Sequence, residues 1–257
     1  MPENIKKSED SEKFTKKEKS AESEKTKNPA KFLRIGGILA IAVVLFLIVI
    51  ISLTSKTPIS EQVWNPATTL GDAETANHHY ILYTDVMCPY CAVLAQTIQH
   101  NQSEFENWLS EHKVLYEVRA TDYLYEGGSS KYSRPAAEAT YCATRENKFW
   151  DFYHAAMEKM YKEYQSKGIG ISKTSPQISN LPDDYFLKIG HSVGLGETFD
   201  NCIKNHETVS EIEENTKKAA KVAEGVPFMV YDGKAGGIDA QNGWDGVKLY
   251  LETGLKK

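Results

Sequence analysis

The chain has 257 residues with 30 Lys and Arg against 35 Asp and Glu, a formal net charge of -5. The balance shifts along it: up to Arg34 there are 10 basic and 7 acidic residues, and beyond it 20 and 28. No basic stripe marks a nucleic-acid site in the later part, so nucleic acid is not an expected partner.

Residues 1–34 carry Lys, Glu, Ser and Asn with Phe14 and Phe32 as their only aromatics. Such a segment cannot bury enough apolar surface to offset the entropy of ordering, and is read as a disordered cytoplasmic tail. Ile35 to Leu53 then runs 19 residues without a charge. At ~1.5 Å per residue a helix of that length spans roughly 28 Å, the thickness of a bilayer core. It has no polar face, which argues against a buried soluble helix. It is long and deep in the chain for a signal peptide, and no small-x-small cleavage site follows. The reading is an uncleaved single-pass anchor. Lys25, Lys27, Lys31 and Arg34 precede it and only Lys56 closely follows, so the amino terminus is placed in the cytoplasm and the rest of the chain outside. Residues 54–78, with Pro58, Pro66 and Gly71, read as a linker to a domain over 79–257.

Four cysteines follow the anchor: Cys88, Cys91, Cys142 and Cys202, with three possible pairings. Tyr80-Ile81-Leu82-Tyr83 has the pattern of a buried strand, and Ala92, Val93, Leu94, Ile98, Phe105 and Trp108 fall at helical spacing. Cys88-Pro89-Tyr90-Cys91 therefore lies at a strand-to-helix junction, with Pro89 in the first turn, where a missing N–H costs nothing. Unpaired N–H groups and the helix dipole favour a thiolate at Cys88. Cys91, nearly one turn further, is placed to attack a mixed disulfide at Cys88, the second step of thiol–disulfide exchange. The rival uses of two such thiols are a structural disulfide and half of a metal site. The latter needs two further ligands at compact spacing, and no metal is expected. Far downstream, Val226-Pro227 precedes an apolar strand, Phe228 to Tyr231, that ends in an Asp-Gly turn. On residues alone this proline reads as the start of an edge strand with a trans bond.

Thr84 to Cys91 before an apolar helix, with Gly225-Val226-Pro227 before a strand, resembles the DsbA-like branch of the thioredoxin superfamily. Ala136-Ala137-Glu138-Ala139, Cys142-Ala143 and Lys148 to Tyr153 resemble the helices that this branch inserts into the thioredoxin core. The resemblance covers roughly Tyr80 to Leu251. It implies an α/β, thioredoxin-like fold with an inserted helical subdomain over about 129–222, after the transmembrane helix. It implies a cis Val226-Pro227 bond beside Cys88, with Pro89, Tyr90, Val226, Pro227 and Asp85 shaping the site. It further implies a second, noncatalytic disulfide between Cys142 and Cys202. Valine before that proline is more typical of oxidases than of reductases. One departure stands out: many members of that branch carry a buried acid on the strand six residues before the nucleophile, and here that residue is Leu82. Proton handling at Cys91 is then left to water, or to Asp85 if its carboxyl reaches. Asp85 reads equally well as a turn residue.

The intervening stretch reads as helices. Ala136 to Cys142 form one, Phe149 to Tyr161 a second, and Pro182 opens a third through Ile189. Phe199 and Ile203 mark a fourth and Val209 to Val222 a fifth, with a loop at Gly168 to Pro176. Tyr90, Tyr123 and Tyr125 are candidates for an apolar substrate surface. The expected activity is oxidation of reduced exported polypeptides, without a cofactor, and with reoxidation by a membrane partner of the DsbB or VKOR type. Its rivals are a reductase or isomerase, and a tethered metallochaperone.

Overall fold

In the computed structural model, residues 65–255 are described. The tail 1–34, the apolar run Ile35 to Leu53 and the first part of the linker lie outside that range. Among the described residues no helix is long and apolar enough to cross a membrane.

The framework is a five-stranded mixed sheet in the order β1-β3-β2-β4-β5. Its central strand, β2 (His78–Thr84), is buried along most of its length. It runs parallel to β3 (Val114–Ala120), with Leu82 opposite Val118 and Thr84 opposite Ala120. On its other side it runs antiparallel to β4 (Phe228–Tyr231), with Leu82 opposite Met229. β4 is apolar, and so is β3 apart from the paired Glu117 and Arg119, as a strand covered on both faces requires. Asp232 and Gly233 take φ of 48° and 78°, the double left-handed conformation of a tight hairpin turn into β5 (Lys234–Ala235). The Asp232 carboxylate also accepts from the His79 amide at 2.7 Å, which pins this turn to the central strand.

The segment taken as linker up to residue 78 enters the domain earlier than expected. Asn65 caps a turn at Pro66–Thr68, and β1 (Thr69–Leu70) pairs with β3, Thr69 opposite Glu117. Two residues carry too little periodicity to be read as a strand; the pairing comes from the free edge of β3.

A second difference follows the cysteine motif. The helical spacing from Ala92 to Trp108 is divided between α1 (Pro89–His100) and α2 (Gln102–His112). At the break, Asn101 leaves helical geometry with ψ 27°, its amide bonds the Ile98 carbonyl and its side chain the Thr97 carbonyl. An asparagine amide competes in this way with the helix ladder. Both pieces stay amphipathic towards the same core, so apolar spacing does not register the break.

Between β3 and β4 the chain is helical. It comprises α3 (Tyr123–Glu126), α4 (Ser133–Cys142), α5 (Phe149–Glu163), α6 (Tyr185–Ser192), α7 (Glu197–Lys204) and α8 (Val209–Val222). The third expected helix starts at Tyr185, not Pro182, whose carbonyl instead accepts the Tyr185 amide in a preceding turn. A closing helix, α9 (Gly243–Leu255), was not anticipated; its Gly254 lies so close to the Tyr231 ring that a Cβ would stand 2.2 Å from it. Helix α1 packs against α5 on one side and α9 on the other.

Cys142 on α4 and Cys202 on α7 form a disulfide. Both are buried, and they join residues 60 apart in sequence. A closed loop of that length restricts the unfolded chain. Replacing both by alanine is expected to lower the unfolding free energy by about 2–4 kcal/mol, measured by denaturant titration.

Candidate active site

Cys88 is the N-cap of α1 and Pro89 its first residue. The Cys88 amide bonds the Asp85 carbonyl at 3.0 Å, closing the turn out of β2, and its carbonyl takes up the Ala92 amide at 3.1 Å. Because proline lacks an N–H and fixes φ, the helix starts cleanly here. Cys88 is 4% exposed, Cys91 1% and Tyr90 62%, so the motif shows solvent one aromatic ring above two nearly covered sulfurs. Both cysteines are free thiols.

The Val226–Pro227 peptide is cis. It immediately precedes β4, so pairing of β4 with β2 carries it to the end of β2 where Cys88 lies. The Cys88 thiol donates to the Val226 carbonyl at 3.2 Å. Helix start, central strand and this peptide thus converge on one sulfur.

Cys91 faces inwards. Its neighbours are Cys88, the Thr84 hydroxyl and the backbone of Asp85. Burial pushes its thiol well above the usual range, and the Cys88 sulfur beside it adds to the shift.

The Asp85 side chain does not serve Cys91. It is fully buried and accepts from the Met87 amide at 2.9 Å, the Leu124 amide at 2.9 Å and the Ser133 hydroxyl. It rivets the motif loop to α3 and α4. Burial lifts its pKa to about 6 against the opposing pull of those three donors.

Sequence reasoning passed over four polar residues. Thr84 touches Cys91, and its hydroxyl lies 3.4 Å from that of the buried Tyr153. Ser133 holds Asp85. Gln165 donates to the Met87 carbonyl at 3.2 Å from the far side of the inserted helices. Only Thr84 had a readable signal: period-two alternation along β2 puts it on the face of Tyr80 and Leu82.

In front of Cys88 opens a groove of about 730 Å³. Tyr90, Tyr123, Leu124, Ile171, Ile178 and Val226 supply its apolar lining, and Lys131, Lys173 and Glu224 its charge. Tyr125 is elsewhere, its ring 4.5 Å from the Arg134 guanidinium. Among the described residues no three His, Cys, Asp or Glu side chains are grouped to hold a metal ion.

Residues 65–252 match the model of the thioredoxin family. The chain belongs to the thioredoxin family. Its structural neighbours are DsbA-like thiol–disulfide oxidoreductases. They include the thiol-disulfide exchange protein α-DsbA2 of Wolbachia pipientis, with TM-score 0.53 and 17% identity over 80% of this chain and 92% of that one. Oxidised BdbD of Bacillus subtilis superposes with TM-score 0.54 and 19% identity, over 74% of this chain and 93% of that one. A putative protein-disulfide isomerase of Pseudomonas syringae gives 0.53 and 13%, over 74% and 98%. At these identities the likeness is one of fold. No curated protein matches in sequence.

The raised pKa of Asp85 has a signed consequence. Its folded value, about 6, lies above the ~3.9 of an unfolded carboxyl, so its contribution to stability is complete below ~3.9 and is lost as pH rises through about 6. The unfolding free energy of the parent minus that of Asp85→Asn is expected to fall by up to about 3 kcal/mol between pH 4 and pH 8. A difference that stays flat across that range would rule this out.

Proposed function

We propose that the chain is a membrane-anchored thiol–disulfide oxidoreductase that acts outside the cytoplasm, introducing disulfides into exported proteins through Cys88 and Cys91. The observation that carries the reading is the Cys88 sulfur at the start of α1, 3.2 Å from the carbonyl of a cis Val226–Pro227 peptide, with Cys91 one turn behind.

The steps follow from that geometry. In the oxidised protein Cys88 and Cys91 are joined. A substrate thiolate attacks the Cys88 sulfur; the Cys88–Cys91 bond breaks and its electron pair leaves on Cys91, which takes a proton. A second substrate thiolate attacks the substrate sulfur of the mixed disulfide, forming the substrate's disulfide and releasing Cys88 as thiolate. The substrate loses two electrons and the protein gains them. The Cys88 sulfur sits at the N-terminus of α1, where the helix gathers partial positive charge, and this placement supports an oxidising direction. The Val226 backbone beside the groove offers strand-like pairing to an extended chain, which binds with little sequence preference. Reduced, partly unfolded exported polypeptides are the substrates, and a DsbB or VKOR type membrane protein accepts the electrons.

Two measurements test this. The equilibrium reduction potential is expected near the oxidising end, about -120 mV; a value around -270 mV would turn the direction to reduction. Cys88→Ser is expected to abolish exchange with dithiols, and full activity in that variant would remove the chemistry from this site. For the anchor, the full chain should sediment with membranes and be digested by protease added outside intact cells. Recovery in the soluble fraction would overturn it.

A further inference from the structure

When the Cys88–Cys91 bond opens, the leaving sulfur is buried, and a buried thiolate without a counter-charge is costly. Something must deliver a proton to it. Beside the sulfur stand Cys88, the Thr84 hydroxyl and the Asp85 backbone, with the Tyr116 and Tyr153 phenols close by. The Asp85 carboxyl is already held by three donors. The other buried acids among the described residues are engaged elsewhere: Glu117 with His79 and Arg119, Asp122 with Arg134, and Glu138 with His206.

What does reach Cys91 is one hydroxyl, with a second next to it. Thr84 lies against its sulfur, and the Tyr153 hydroxyl stands 3.4 Å from that of Thr84. Burial raises the pKa of Tyr153, which keeps its proton in place. Tyr153 also lines a cleft of about 260 Å³ together with Gln99, Gln102, Asp151 and His154. That cleft shares no residue with the substrate groove, and it is walled by α1 and α5 with none of residues 88–91 in its lining.

We propose that Cys91 is protonated from behind, through the hydroxyls of Thr84 and Tyr153, by water in this rear cleft. The inference rests on the exchange chemistry proposed above. As the Cys88–Cys91 bond breaks, the Thr84 proton passes to the Cys91 sulfur. Thr84 takes the Tyr153 proton, and Tyr153 takes one from water. The hydroxide left in the cleft balances the proton that the substrate thiol released on ionising. No electrons move along the relay. A substrate filling the front groove leaves this route open, so protonation and substrate binding do not compete. Thr84 is then a catalytic residue and Tyr153 a positioning residue that acts through it.

The test uses the oxidised full chain in detergent and follows its reduction by dithiothreitol at fixed thiolate concentration, in H2O and D2O. Thr84→Val and Tyr153→Phe are each expected to slow the reaction roughly 10–100-fold. Both should bring the H2O/D2O rate ratio close to one, and Thr84→Ser should restore rate and ratio. If Thr84→Val does not fold, Tyr153→Phe decides alone. Folded variants that react at the parent's rate, or keep its isotope ratio, overturn the relay while leaving the exchange reading intact. A parent that does not react with dithiothreitol, or a Cys88→Ser variant that exchanges normally, sinks both.

Discussion

Everything at the site depends on one long-range pairing, that of β4 with β2. It sets the peptide at Val226 against the sulfur of Cys88, residues 138 apart in sequence, at 3.2 Å. The pairing is secured at both ends of β4. Asp232 grips the His79 amide beyond one end, and the Val226 carbonyl meets Cys88 at the other. In between, Met229 and Leu82 face each other in the buried sheet, and Tyr80 packs edge-on against Tyr231 at 4.7 Å between ring centres. Aromatic pairs of this kind add to their area burial. A register shift of one residue would turn each of these side chains to the opposite face and take Val226 away from the motif.

The two sulfurs share a motif but not an environment. Cys88 stands at a helix start with a groove before it, so partners can approach it. Cys91, on the inner face of α1 among Ala92, Leu94 and Ala95, has a thiol held well above its usual range by burial. Attack at Cys88 with departure from Cys91 therefore needs an inner proton source more than an outer one. The buried hydroxyls of Thr84 and Tyr153 supply an arrangement suited to that need.

The inserted helices do more than cover the sheet. Asp85 ties the turn before Cys88 to α3 and α4, and Gln165, just beyond α5, holds the Met87 carbonyl. The loop bearing the motif is thus fixed from the helical side as well as from the sheet. The disulfide between α4 and α7 closes the helices on themselves some distance along the same α4. Preorganisation of this kind keeps the Cys88 sulfur aligned with its neighbours, and of the four motif residues Tyr90 is the exposed one.

The sequence by itself determined what periodicity and local chemistry can encode. A buried strand, a cysteine pair with proline at a helix start, an apolar strand after Pro227, the bounds of α8 and the Asp-Gly turn all rest on residues adjacent in the chain. Gly225-Val226-Pro227 taken with the cysteine motif was enough for a resemblance, though neither alone was. Tertiary structure alone decided the rest. β1 exists because β3 has a free edge, and α1 ends at Asn101 because one side chain takes a carbonyl from the ladder. Asp85 turned to Ser133 and Leu124 rather than to Cys91 because donors from two distant segments converge there. Thr84, Tyr153 and Gln165 gained their places only when a strand, a helix and the turn after it met around the cysteine motif. Hydroxyls and amides carry no periodic signal, and their partners are chosen by packing, which no local run of residues contains.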